Sequence, residues 1–146
     1  MKAAARGIKD AQTEIMIVDD NPNYSYLLSK MLSGVFGYQR ITVLSSVESA
    51  FEAIRAEPVR YKLLFIDYKF PSGVTGGDLL KMLALHNLLK DKVAFLVTSD
   101  PTVDNVNEAL AAGAIAVVAK PFDREELRAQ LEKAERALLS DGVESF

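Results

Sequence analysis

Leu63-Leu64-Phe65-Ile66-Asp67 decides the fold: four consecutive apolar residues, then a carboxylate. A strand with one wet face alternates apolar and polar residues. A run that is apolar at every position suits a parallel sheet covered by helices on both faces. Outward from it, similar runs occur at Ile15-Met16-Ile17-Val18, Val93 to Val97 and Ile115-Ala116-Val117-Val118. A fifth run, Ile41-Thr42-Val43-Leu44, is broken by Thr42, which predicts an edge strand.

Between the runs, apolar residues recur at helical spacing. Tyr24, Leu27, Leu28, Met31 and Leu32 form one stripe, and Val47, Ala50, Phe51 and Ile54 a second. Leu79, Leu80 and Leu83 form a third, Val103, Val106 and Leu110 a fourth, and Leu127, Leu131, Ala134 and Leu138 a fifth. Boundary residues agree. Ser45 with Glu48 reads as a capping box and Asp123 with Glu126 as its acidic analogue. Asp100 before Pro101 suits an N-cap followed by proline, and Gly113 stands where the fourth helix should stop. Five β–α units imply a parallel sheet with helices on both faces, joined by right-handed crossovers. With no repeat, low-complexity tract or linker, one domain is expected at residues 13–139, with flexible tails at 1–12 and 140–146.

The chain has 146 residues, 49% hydrophobic and 25% charged, enough for one domain with its own core. Its net charge of −3, without a basic block, disfavours direct nucleic-acid binding. Lacking cysteine, it has no disulfide, thiolate metal site or thiol nucleophile, which fits a cytoplasmic location. No apolar run approaches the roughly 20 residues that span a bilayer. Met1 to Asp10 lacks the apolar centre of a secretory signal, so no membrane partner is expected.

In a doubly wound sheet, ligands bind beyond the carboxyl ends of the strands. The residues that follow the strands here are Asp19 and Asp20, then Asp67, then Thr98 and Ser99, then Lys120 and Pro121. Gathered on one rim, three carboxylates repel unless a cation joins them. Mg²⁺ suits such a site, because it takes one or two carboxylates together with water and phosphate oxygens. A lysine offers a point charge to phosphate, a threonine hydroxyl can donate to a phosphoryl oxygen, and an aspartate can itself attack phosphorus to form an acyl phosphate. Singly, each residue is an ordinary loop, cap or surface position; jointly they point to phosphoryl transfer.

At Val18-Asp19-Asp20, Ile66-Asp67 with Pro71, Thr98-Ser99, and Gly113-Ala114 leading to Lys120-Pro121-Phe122, the chain resembles the response-regulator receiver family of two-component signalling. The resemblance covers roughly residues 13–139 and implies a flavodoxin-like α/β fold, a doubly wound five-stranded parallel sheet of order 2-1-3-4-5 with five helices. It implies that Asp67 is the phosphoacceptor and Asp20 a direct Mg²⁺ ligand, with Asp19 acting at the metal through water or neighbouring groups. It further implies that the backbone carbonyl of Lys69 completes that metal site, that Thr98 and Lys120 bind the phosphoryl group, and that Pro121 follows a cis bond. The implied function is a signalling switch of the kind used in two-component systems and phosphorelays. A sensor histidine kinase or histidine phosphotransfer protein supplies the phosphoryl group, Mg²⁺-dependent autodephosphorylation removes it, and an unknown protein effector reads it. The implied switch is not an enzyme toward other substrates, and is a monomer or weak homodimer.

Three features depart from the family pattern. Val117 stands where an aromatic residue is usual, which favours the alternative of a constitutive docking module with little switching. Thr75 stands where a glycine is usual, and Gly76 and Gly77 indicate a one-residue insertion in the preceding loop. Lys69 is either a solvated loop lysine or a charge that alters the lifetime of the phosphoryl group. His86, the only histidine, has no acid or metal spacing beside it and reads as a polar helix position. A haloacid-dehalogenase-like phosphatase would need a second acid two residues after the nucleophile, where Lys69 stands. A flavin module would need a hydroxyl- and glycine-rich loop where Asp19-Asp20-Asn21-Pro22 stands.

Overall fold

The computed structural model describes residues 12–144, in which five strands alternate with five helices. The strands are β1 (Glu14–Val18), β2 (Arg40–Leu44), β3 (Leu63–Asp67), β4 (Val93–Thr98) and β5 (Ala116–Ala119). The helices are α1 (Pro22–Lys30), α2 (Val47–Ala56), α3 (Gly76–Leu85), α4 (Val103–Ala112) and α5 (Arg124–Glu144). All neighbouring strands pair in parallel, in the order β2-β1-β3-β4-β5. The fold is the doubly wound flavodoxin-like sheet expected, with β2 at an edge and Val43 exposed there. Of the expected tails, residues 1–11 and 145–146 lie outside the described residues. At the other end α5 runs to Glu144, into the stretch expected to be a tail. A helix already formed adds residues at little cost and needs no apolar stripe to continue.

Side-chain alternation in the strands explains the unbroken apolar runs. Ile15, Ile17, Leu63, Phe65, Phe95 and Val97 pack with Leu28 and Leu32 of the α1 segment and Leu127 and Leu131 of α5. Met16, Val18, Leu64, Ile66 and Leu96 pack with Ile54 of α2, Leu80 and Leu83 of α3 and Ala109 of α4. Phe65 and Phe95, paired across β3 and β4, stack with centroids 5.2 Å apart. The same parity sets the rim. The next positions on the α1/α5 side are Asp19, Asp67 and Lys120.

Several local expectations shift. In α1 and the turn after it the sheet is met along Leu28 and Leu32, and Leu27 is 59% exposed, because one residue is about 100° around a helix. α1 then loosens into a π-helical turn over Met31–Val35. Helix α2 is capped by Ser46, not Ser45: the Ser46 hydroxyl accepts from the Ser49 N–H at 3.0 Å. Helix α4 is capped by Thr102, not Asp100; the Thr102 side chain accepts from the Asn105 N–H, while the Asp100 carbonyl accepts from the Thr102 N–H. Its expected stripe of Val103, Val106 and Leu110 is not the buried face. Ala109 and Ala112 are, leaving Val103 75% and Leu110 45% exposed. Asp123 and Glu126 cap each other reciprocally, and Gly113 ends α4 in the left-handed region, both as read from the sequence.

Candidate functional site

Asp19 and Asp67 are held at the ends of β1 and β3. The Asp19 N–H donates to the Leu44 carbonyl at 3.0 Å, which carries the β1–β2 ladder one residue past the strand. An Asp19 carboxylate oxygen then accepts from the Asn21 N–H at 2.8 Å. Asn21 in turn caps α1, accepting from the Asn23 and Tyr24 N–H groups, with Pro22 preset at the first helical position. Asp67 is the last residue of β3, and the Tyr68 N–H behind it donates to the Val97 carbonyl of β4. Thr75 and Asp78 form a capping box that starts α3 against this strand end. Gly76 is required there. A Cβ on it would lie 2.2 Å from the Asp67 carbonyl oxygen and against the side chains of Leu96 and Ile66. The loop after β3 therefore closes onto the strand at Gly76, whose N–H donates to the Tyr68 carbonyl at 2.8 Å.

Asp19, Asp20 and Asp67 converge, each offering a carboxylate oxygen within 4.8 Å of the others. Asp19 is buried, Asp67 partly so and Asp20 exposed. The Lys120 Nζ lies 3.1 Å from a carboxylate oxygen of Asp19 and 3.1 Å from one of Asp67. Its backbone N–H donates to the Thr98 carbonyl, and the Lys120–Pro121 bond is cis, as the family resemblance implied.

One ammonium against three carboxylates leaves two negative charges unbalanced. Burial pushes the Asp67 carboxyl above its ordinary pKa, and the Asp19 charge adds to this, while Lys120 and the Tyr68 N–H oppose it. A group whose charge is disfavoured beside another carboxylate marks a site short of positive charge. An all-oxygen donor set of this kind fits a hard divalent cation. Clefts of about 400 and 390 Å³ flank Asp20 and open this side to solvent; Asp19, Ser25 and Ser49 line one, and Ser46, Glu48 and Phe70 the other.

Thr98 and Lys69 are placed differently. Thr98 ends β4 and is buried, but belongs by parity to the α2–α4 side, and its hydroxyl accepts from the Asp100 N–H at 3.0 Å. The hydroxyl is thus at the rim but engaged within its own loop. The Lys69 side chain is exposed. His86 is an exposed residue capping the end of α3, a ring nitrogen 2.8 Å from the Met82 carbonyl oxygen.

Tyr24 is the site residue that the sequence did not disclose, since its spacing marks only a core stripe. Its ring faces the Lys120 ammonium, 4.0 Å from Nζ to centroid, and meets the Phe122 ring edge-to-face.

With this geometry in place, the comparisons with known proteins are specific. The sequence profile of the response regulator receiver domain matches residues 15–132. The chain is 28% identical over 120 residues to chemotaxis protein CheY of Pseudomonas aeruginosa, covering 82% of this chain and 94% of that protein. It is equally similar, 28% over 120 residues, to sporulation initiation phosphotransferase F of Bacillus subtilis, covering 82% and 91%. Among solved structures, the CheX–CheY–BeF3–Mg²⁺ complex of Borrelia burgdorferi matches with a TM-score of 0.74 at 18% identity, covering 83% of this chain and 87% of that one.

Proposed function

The chain belongs to the response-regulator receiver family, and from that premise we propose that Asp67 is the phosphoacceptor of a phosphorylation-dependent signalling switch. The observation that carries this is the lysine bridge. Lys120 Nζ stands 3.1 Å from oxygens of both Asp67 and Asp19, inside a carboxylate group still short of positive charge.

In the proposed reaction, an Asp67 carboxylate oxygen attacks the phosphorus of a phosphohistidine on a sensor histidine kinase or histidine phosphotransfer protein. The new O–P bond forms as the N–P bond breaks, and the histidine ring leaves with the electron pair and takes up a proton. Lys120 gives up its bond to Asp67 and pairs with a phosphoryl oxygen. Thr98, whose oxygen accepts from the Asp100 N–H, donates its hydroxyl proton to a phosphoryl oxygen and draws its loop inward. Asp19, Asp20, Asp67 and the Lys69 backbone carbonyl would hold Mg²⁺. Bound there, it would offset the repulsion between the carboxylates and the incoming phosphoryl oxygens. Attack of water on phosphorus later returns the Asp67 carboxylate and releases inorganic phosphate, which resets the switch. The activity is confined to the chain's own phosphoryl group, and a protein effector reads the phosphorylated face.

One observation favours a second reading, a receiver that docks constitutively. Val117 is half-buried against the α2–α4 core and carries no large ring to exchange between exposed and buried positions.

Incubation with acetyl phosphate and Mg²⁺, followed by intact-mass spectrometry, tests the proposal. Wild type gains one phosphoryl group, while Asp67→Asn, or wild type in excess chelator, gains none. An unmodified wild type, or an Asp67→Asn protein modified to the same extent, overturns it. Phosphorylation that leaves amide exchange in α4 and β5 unchanged would favour the constitutive reading.

A further inference from the structure

We propose that Tyr24 is a positioning residue for phosphoryl transfer, its ring forming the wall that holds the Lys120 ammonium between Asp19 and Asp67. The kinetic part of this inference rests on the reading of Asp67 as phosphoacceptor. Lysine is a point charge on a flexible four-carbon stem, so its reach must be set by its surroundings. The two carboxylates fix the ammonium through bonds of 3.1 Å each, and the Tyr24 ring takes a further face at 4.0 Å. A cation over an aromatic face is attracted most strongly where water is excluded. The Lys120 side chain is only 16% exposed.

The ring is anchored at both ends. At its backbone, the Tyr24 N–H donates to the Asn21 side chain at 3.2 Å, which fixes the residue in the first turn of α1. At its other side, the Phe122 ring meets it edge-to-face at 5.9 Å, and Phe122 follows the Lys120–Pro121 turn. The ring is therefore tied to the same turn that presents the lysine. The hydroxyl takes no part. It is buried and finds no hydrogen-bond partner among the described residues. Burial, with the charges of Asp19 and Asp67, pushes its pKa well above the ordinary tyrosine value, so it stays neutral and adds no negative charge. A leucine at this position would fill space but offer the ammonium nothing. When Asp67 carries a phosphoryl group, the ammonium must move from carboxylate to phosphoryl oxygen, and the ring lets it do so without hydration.

Two measurements test this. In the first, rates of phosphorylation by acetyl phosphate are compared. Tyr24→Leu is expected to be about three- to thirtyfold slower than wild type, the range spanned by partly to fully desolvated cation–π contacts. Tyr24→Phe recovers the loss to within about twofold, since it keeps the ring. In a Lys120→Ala background, Tyr24→Leu causes no further slowing, because the residue acts through the lysine. A purely structural role predicts the same further slowing in both backgrounds, and that result overturns the proposal.

The second measurement needs no phosphodonor. By NMR, the Lys120 ε-CH2 protons are shifted upfield by the ring in wild type and Tyr24→Phe, and return to the ordinary lysine position in Tyr24→Leu. Unshifted protons in wild type overturn the proposal even if every variant is phosphorylated. A wild type that takes up no phosphoryl group overturns instead the reading of Asp67, and shifted Lys120 protons would then still support the held ammonium.

Discussion

Helices α3 and α4 lie side by side on one face of the sheet, and they are seated in opposite ways. α3 buries Leu79, Leu80 and Leu83 completely. α4 seats itself with Ala109 and Ala112, and turns Val103 and Leu110 to solvent. Each buried leucine is worth about 2 kcal/mol of transfer free energy, and an alanine much less. What α4 lacks in apolar area it partly replaces with one carboxylate. The Tyr68 hydroxyl donates to one oxygen of Glu108 at 3.1 Å, and Lys81 Nζ of α3 lies 3.1 Å from the other. The helix that begins beside Asp67 is thus fixed by close packing. The one that follows Thr98 rests on small residues and a few polar bonds. If the proposed switch operates, that asymmetry would let the α4 face respond while the chemistry beside α3 stays in place.

The comparison breaks most easily at Leu83. Leu83→Ala should cost about 2–5 kcal/mol in urea unfolding, whereas Leu110→Ala on α4 should change stability by no more than about 0.5 kcal/mol. Equal costs would end the distinction. The start of α3 sharpens it. Gly76→Ala drives a methyl into the Asp67 carbonyl and should cost about 1–3 kcal/mol. At Gly77 an added Cβ meets only ordinary contacts of 3.5 Å or more, and Gly77→Ala should be neutral to stabilising by up to about 1 kcal/mol.

The rim beside these helices gives a pH signature. The pKa of Asp67 is raised in the fold, so its protonated form is the one the fold favours. Its contribution to stability is complete below the ordinary carboxylate pKa and is lost as pH rises through the raised one. In chelator, thermal unfolding from acid to neutral pH should show this loss in wild type but not in Asp67→Asn, and added Mg²⁺ should remove it. Smaller still is Glu108→Gln, expected to cost under about 1 kcal/mol. It should nevertheless speed amide exchange in α4 while leaving α3 unchanged; acceleration in both would mean that the two move as one unit.

The strands were legible because both faces of the sheet are dry. The inner strands β1, β3 and β4 are apolar up to their end residues, and Thr42 marked one edge; β5, the other edge, is apolar too and only partly buried, so composition did not reveal its place. The carboxylate group was legible because a parallel sheet brings all its carboxyl ends to one side. Helix faces were harder to read. Periodicity weights large side chains and so marks Val103, Val106 and Leu110 as the inner face of α4, whereas packing buries Ala109 and Ala112. Caps slipped by one or two residues at Ser46 and Thr102, since several adjacent hydroxyls and carboxylates can each cap and only the backbone's entry angle selects one. The Thr75–Asp78 box was present in the sequence but stands at the start of α3 beside a glycine pair that masks it. No sequence signal joins Tyr24 to Lys120, because their contact depends on how α1 and the turn after β5 meet in space.

The most direct test of the central claim is to trap the acyl phosphate. Protein phosphorylated by acetyl phosphate in Mg²⁺ is reduced with borohydride, which converts a phosphorylated aspartate to homoserine, and the peptides are sequenced by mass spectrometry. The account predicts homoserine at position 67 alone. Reduction at Asp19 or Asp20, or phosphate found only on a hydroxyl or on His86, would contradict it.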